Sequence, residues 1–269
     1  MALSDDDFKR LVAYIKEHYG LNLEKKRTLV EGRLHNIIRE YGFTEIGDFL
    51  QQCYLDKSGE LLVVLLNRLT TNHTYFMREW DHFEIYRDQV LPFWKSQIKD
   101  NDLRIWSAGC SLGNEPYTLA MINNDFFGPL ISQWDCKILA TDISVRALTE
   151  ARNGVYSADV VKDVPMQWRQ KYFVKLNDGA YKVDEKIRDS VIYKIFNLMD
   201  KQLPFRKKFH CIFCRNVMIY FDRETRAELI NRFYSALEPG GFFFVGQSEA
   251  LEKKESPFVA IKSAAYRKV

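Results

Sequence analysis

The stretch Leu103–Tyr117, LRIWSAGCSLGNEPY, decides the fold. Leu103, Ile105 and Trp106 begin an apolar strand, Leu103–Ala108, and Ser107–Gly113 form a turn of small residues. A helix then starts at Glu115-Pro116, where a proline in the first turn costs no hydrogen bond. Small residues let backbone approach a ligand closely. A strand, a glycine turn and a helix in this order is how α/β proteins build a nucleotide site.

Strand and helix patterns alternate downstream of this stretch. Helix Glu115–Asn124 precedes strand Lys137–Thr141, which ends at Asp142, and helix Ser144–Arg152 follows. Strands Val191–Phe196 and Phe209–Cys214 lead to helix Arg223–Leu237, a turn at Pro239–Gly241 and strand Phe242–Gly246. This alternation predicts a mostly parallel sheet with helices on both faces. Lys171–Lys175 and Tyr181–Val183 flank Asn177-Asp178-Gly179, a hairpin signal, so residues 153–190 read as a small antiparallel subdomain. Phe258–Val269 reads as antiparallel edge strands. Ligands in such sheets sit outside the carboxyl ends of the strands. That rule gathers Ala108–Glu115, Asp142, Asn197, Arg215-Asn216 and Gly246–Glu249 on one edge.

The residues on this edge narrow the ligand. Gly109 and Gly113 are separated by three residues, so the dinucleotide fingerprint GxGxxG fails, and the lysine of a P-loop is missing. A ligand without phosphates is therefore favoured. Asp142 can accept hydrogen bonds from a ribose diol, and Glu115 could neutralise a cationic group. A nucleoside with a cationic tail and no phosphate describes S-adenosylmethionine.

Upstream, the chain reads as helical. Ser4 caps a helix with Asp5, Asp6 and Asp7 in its first turn and Phe8, Leu11, Val12, Ile15 and Tyr19 along one face, ended by Gly20. Further helices are predicted over Glu24–Tyr41, Ile46–Leu55 and Glu60–Leu69. The second carries Lys25, Lys26, Arg27, Arg33 and Arg39, which form either a solvated face or a docking face for an acidic partner. Arg68–Trp80, RLTTNHTYFMREW, reads either as a linker with Asn72 or Thr74 capping the next helix, or as something more. A helix from Glu79 to about Ile98 closes this part.

The 269 residues suit one large domain, or a medium domain with a small one, and the 46% apolar content supports a substantial core. A net charge of +3 is too weak to argue for nucleic acid. No apolar run approaches the ~18 residues of a membrane span, and no signal peptide is expected. The five cysteines are scattered, and the CxxC of Cys211 and Cys214 lies inside the apolar run FHCIFC. They read as buried thiols of a reducing cytoplasm, with no metal expected.

Across nearly its whole length the chain resembles the bacterial chemotaxis receptor methyltransferases, which methylate glutamates of methyl-accepting chemotaxis proteins. The segments that carry the resemblance are TTNHTYFMRE, WSAGCSLGNEPYTLA, ILATDIS, FNLMDKQ, FCRNVMIYFD and LEPGGFFFVGQSE, in order and at family-like spacing. The resemblance implies a Rossmann-like, S-adenosylmethionine-dependent methyltransferase domain at 101–269, with its small β-subdomain. A helical receptor-docking domain at 1–70 would precede it, joined by a linker and helix at 71–100 that contribute to the cofactor site. It implies S-adenosyl-L-methionine as cofactor and S-adenosyl-L-homocysteine as product. The implied partners are the cytoplasmic helical domains of chemoreceptors, met by a cytoplasmic monomer that neither enters the membrane nor binds nucleic acid.

The resemblance also implies residue roles. Asn72, Thr74 and Arg78 are expected to contact the cofactor, which draws the linker into the site, with Ala108 and Gly109 beside it. Glu115 is expected near the amino-acid portion, Asp142 on the ribose and Asn197-Leu198 at the adenine. Arg215-Asn216 would close the pocket beside the methyl group. Arg78 and Tyr220 are the candidate catalytic residues, Tyr220 either lining the glutamate entrance or packing as a plain aromatic. The family commonly has Gly-Glu-Glu-Pro-Tyr where this chain has Gly113-Asn114-Glu115-Pro116-Tyr117, so the first acid cannot be essential. A cationic second helix suits glutamate-rich receptor helices. Relatives that hold a receptor C-terminal pentapeptide have a longer, glycine-richer hairpin than Leu176–Gly179, so no such tether is expected here. The rival readings are a methyltransferase with another substrate, and a non-catalytic module that senses the cofactor or a nucleotide.

Overall fold

In the computed structural model, which describes residues 3–56, 60–69, 74–252 and 256–269, the chain begins with a helical unit. Its helices are α1 (Asp5–Tyr19), α2 (Arg27–Tyr41), α3 (Ile46–Leu55) and α4 (Glu60–Leu69). Ser4 caps α1 as predicted, its hydroxyl accepting from the Asp7 N–H at 3.1 Å. Leu11, Ile15, Val30, Leu34, Ile37, Phe49 and Leu65 form a core separate from that of the sheet. Helix α2 starts later than the pattern suggests, because residues 23–26 form a turn of their own, with the Lys26 N–H donating to the Leu23 carbonyl at 2.9 Å.

The connecting helix runs from α5 (Trp80–Ile85) through a widened π turn at Tyr86–Val90 into α6 (Leu91–Gln97). Pro92 accounts for the widening. It has no N–H to give the carbonyl four residues back, and its ring would crowd that carbonyl. The Leu91 N–H instead reaches the carbonyl of Tyr86. Thr74 caps no helix, since α5 begins after Glu79.

The remaining elements are β1 (Ile105–Ala108), α7 (Asn114–Phe127), β2 (Ile138–Asp142), α8 (Val145–Asn153), β3 (Val155–Tyr156), α9 (Ala158–Val161) and α10 (Met166–Tyr172). They continue with β4 (Phe173–Lys175), β5 (Tyr181–Val183), α11 (Glu185–Asp189), β6 (Val191–Ile195), β7 (Phe209–Cys214), α12 (Arg223–Ala236), β8 (Leu237–Val245), β9 (Val259–Lys262) and β10 (Ala265–Arg267). Seven strands form one sheet in the order β6-β2-β1-β7-β8-β10-β9. The first five are parallel, and β10 and β9 add the antiparallel edge that the sequence predicts. The small antiparallel sheet β3-β5-β4 is inserted before β6. Pro239–Gly241 makes no separate turn. These residues lie inside β8, where the register against β7 shifts between Phe209 and Cys211.

Alternation along the strands sends Phe213 and Phe244 into one core layer, with Tyr86, Leu91 and Tyr117. Ile212 and Phe243 enter the other, with Trp106 and Phe233 of α12. From β1 the sheet is extended by β2 and then β6 on one side, and by β7 and then β8 on the other, all parallel. The switch point therefore falls between the carboxyl ends of β1 and β7, where open α/β sheets bind ligands.

Candidate active site

A cleft opens at this switch point. The turn after β1 lies on one side: the Gly109 and Cys110 N–H groups donate to the Thr141 carbonyl at 2.8 and 2.9 Å. Gly109 has φ +83°, and a Cβ there would lie 2.4 Å from Val217 Cγ2, so only glycine lets the two loops close together. Asp142, at the end of β2, accepts from the Ser111 N–H at 2.8 Å and the Ser144 N–H at 2.9 Å. Burial pushes its pKa up, against the pull of those N–H groups.

The loop after β7 faces this turn. Arg215 is buried, and its guanidinium meets Glu115 at 2.9 Å and Glu79 at 3.2 Å while also donating to the Arg78 carbonyl. Ser107 Oγ donates to the other Glu115 oxygen at 2.7 Å. For Glu79, burial favours the protonated form. The charge of Arg215 and the hydrogen bond from Asn216 outweigh it and hold the pKa below its ordinary value. Asn216 also sits under a buried carboxylate: Glu249 accepts the Asn216 and Gly246 N–H groups, both at 2.6 Å, and the Ile219 N–H at 3.0 Å. Four non-glycine residues around the cleft, Met77, Glu79, Ser111 and Asn216, have positive φ. Such strain persists only where surrounding contacts impose it.

The helical domain closes the remaining side. Asn197 Nδ2 donates to the His18 carbonyl at 2.8 Å, the Asn22 N–H donates to the Tyr220 carbonyl at 2.8 Å, and Lys16 meets Asp222 at 3.1 Å. Gly20 ends α1 with φ +70° directly against Met199, where a Cβ would lie 2.5 Å from sulfur. This seam puts Tyr19 and Leu21 into the cleft wall with Ile143, Phe196, Val217 and Phe221.

Of the residues singled out in the sequence, Thr74, Arg78, Gly109, Glu115, Asp142, Asn197, Leu198, Arg215, Asn216 and Tyr220 line this one cleft. Ala108 does not. Its side chain is turned into the core with Trp106 and Ile212, because the strand's alternation points it away from the opening. Asn72 and His73 lie outside the described residues. Tyr220 lines the cleft and also packs against the helical-domain core, with Lys26 Nζ 5.2 Å from its ring centre.

The cations of the second helix differ in their surroundings. Arg27 is engaged by Asp5 and Glu31, and Arg33 donates to the Leu69 carbonyl, so both serve the domain itself. Lys25, Lys26 and Arg39 are exposed.

Comparison with known proteins agrees with this architecture. The all-alpha domain of the CheR methyltransferases matches residues 6–70, and their SAM binding domain matches residues 72–267. The chain belongs to the CheR methyltransferase family. It is 39% identical over 272 residues to the chemotaxis protein methyltransferase of Borreliella burgdorferi, covering 99% of this chain and 95% of that protein. It is 34% identical over 270 residues to the chemotaxis protein methyltransferase of Escherichia coli, covering 99% and 92%.

For a CheR methyltransferase the donor set fits S-adenosylmethionine. In the cleft lining Arg78 and Arg215 balance Glu115 and Asp142, which suits a ligand that carries charges of both signs, and Glu79 backs Arg215 from behind. Among the described residues, Ser111 Oγ and Arg215 Nε are buried without a hydrogen-bond partner, and both belong to residues that line the cleft. Tyr19, which the sequence places only on the apolar face of a helix, and Leu21 reach the cleft through a contact between domains. The sequence gives Glu79 no role in the site, although the hinge motif contains it, and places Glu249 on the strand-end edge without assigning it one.

Proposed function

We propose that this chain methylates glutamate side chains on the cytoplasmic helical regions of chemotaxis receptors. It uses S-adenosylmethionine and releases S-adenosylhomocysteine. The observation that carries this reading is the convergence of hinge, strand ends and helical domain on one cleft in a CheR-family chain. Asp142 holds the ribose, Asn197 and Leu198 flank the adenine, and Glu115 and Arg78 meet the amino-acid portion, with Thr74 and Gly109 alongside. Arg215, Asn216 and Tyr220 face the glutamate.

When bound, the cofactor supplies an electrophilic sulfonium methyl. A receptor glutamate with a pKa near ~4.3 arrives ionised, so the chain needs no general base. His82 is not among the residues that line the cleft. The residues act by positioning. Glu79 and Glu115 fix the Arg215 guanidinium, and Glu249 fixes the loop that presents Asn216 and Tyr220. Alignment of this kind can supply up to ~7–11 kcal/mol of a barrier.

The working unit is a cytoplasmic monomer. Five buried free thiols favour a reducing compartment, and among the described residues no helix is long and apolar enough to cross a membrane. Residues 1–70 serve as the docking domain, 71–100 as the linker to the site, and 101–269 as the methyltransferase domain. The β4–β5 hairpin closes tightly, with the Leu176 N–H donating to the Ala180 carbonyl at 2.8 Å. Such a short loop supports action without a pentapeptide tether, and calorimetry with a receptor C-terminal pentapeptide should show no tight binding.

Incubation with radiolabelled S-adenosylmethionine and receptor-containing membranes tests the main reading. Alkali-labile methyl esters on the receptor are the expected product. Cofactor binding without transfer would identify a sensor instead.

A further inference from the structure

The end of the sheet away from the cleft carries a second concave surface. Lys201, Arg206, Lys207, Lys208 and Arg232 line one groove with Phe205, and no carboxylate is among its lining residues. Four of these cations sit on the crossover from β6 to β7, and Arg232 lies near the end of α12. Lys207 pairs with Asp102 at 2.7 Å, and Arg232 donates to the Asp200 carbonyl. Among the described residues, no ion pair involves Lys201, Arg206 or Lys208. The groove cations are not needed to satisfy the end of α12 either, because Lys268 Nζ donates to the Tyr234 and Leu237 carbonyls at 2.7 and 2.8 Å. Crowding is felt locally: burial and then Lys208 lower the pKa of Lys268. Surfaces ordinarily intersperse both signs of charge, so a one-sign groove calls for an anionic occupant.

We infer that this groove docks an acidic segment of a partner protein, carboxylates spread along it and an apolar side chain against Phe205. A single phosphate is a poorer match. It is best held by converging backbone N–H groups at a helix N-terminus or glycine turn, and this groove offers long cationic stems instead. Strand β7, six residues long, separates the groove from the cleft by about 20 Å. A segment docked here is held rather than methylated, and holding it raises the local concentration of whatever is joined to it.

Fluorescence anisotropy with a short labelled peptide of repeated Glu-Glu-Leu triplets tests this. Binding should weaken with salt and fall about tenfold in Lys201→Glu/Lys208→Glu, and by less in Lys25→Glu/Arg39→Glu on α2, the other cationic face. S-adenosylmethionine binding by the groove variant should match the parent, showing that it is folded. No peptide binding, equal binding by the groove variant, loss confined to the α2 variant, or displacement by inorganic pyrophosphate at lower concentration than by unlabelled peptide would each overturn the inference.

Discussion

Arg215 shows how single residues set the chemistry of this cleft. Its side chain is 3% exposed, a costly place for a cation unless carboxylates and hydrogen bonds compensate. Glu79 and Glu115 do so with the planar fork that only arginine offers. Asp142 is the complementary case, a carboxylate held in place by two backbone N–H groups. Asp142→Asn replaces one of the two acceptor oxygens with a donor and removes the charge. Cofactor affinity measured by calorimetry should fall about tenfold to a hundredfold, the worth of one hydrogen bond to a charged group, with the receptor KM unchanged. The buried histidines set an acid limit. Burial lowers both His82 and His210 to about 4 from 6.5, so the unfolded chain binds more protons than the fold between those values. Stability is then full above pH 6.5 and falls as the pH drops toward 4. Thermal unfolding across that range should flatten in His82→Gln/His210→Gln.

Among the elements, the turn between β1 and α7 is the most constrained. Gly109 combines φ +83° with a Cβ position already taken by Val217. Gly109→Ala should cost about 1–2 kcal/mol in denaturant unfolding for the backbone alone, and more for the clash. Cofactor binding should weaken in parallel, since relief requires the β1 and β7 loops to part. The small sheet bears on the same turn, because Tyr156 on β3 donates to the Leu112 carbonyl at 2.6 Å. The π turn before Pro92 shows an element answering to one residue, visible in the sequence as a proline but not as a widened turn.

For the molecule as a whole, the seam between the two domains matters most. It is made by His18, Asn22 and Lys16 on one side and Asn197, Tyr220 and Asp222 on the other. Receptor docking and cofactor binding should nevertheless separate by mutation. Lys25 and Arg39 are exposed and absent from the cleft wall. Lys25→Glu/Arg39→Glu should raise the apparent KM for receptor severalfold, more so at low salt, and leave cofactor affinity alone. Arg33 is unsuited to this test because it holds the end of α4 through the Leu69 carbonyl.

The sequence by itself determined the element order, the parallel sheet with its antiparallel edge and the polar set at the strand ends. These follow from local periodicity, turn chemistry and motifs in one stretch of chain. Tertiary structure alone decided which side chains meet. Alternation within β1 turned Ala108 into the core, folding of the helical domain absorbed Arg27 and Arg33, and the seam placed Tyr19 and Leu21 beside strand ends far along the chain. The turn at Ser107–Gly113 thus keeps its role as the start of a nucleotide site. Its opposite wall is supplied by residues whose local patterns speak only of helix and packing, because a contact between distant segments leaves no periodicity behind.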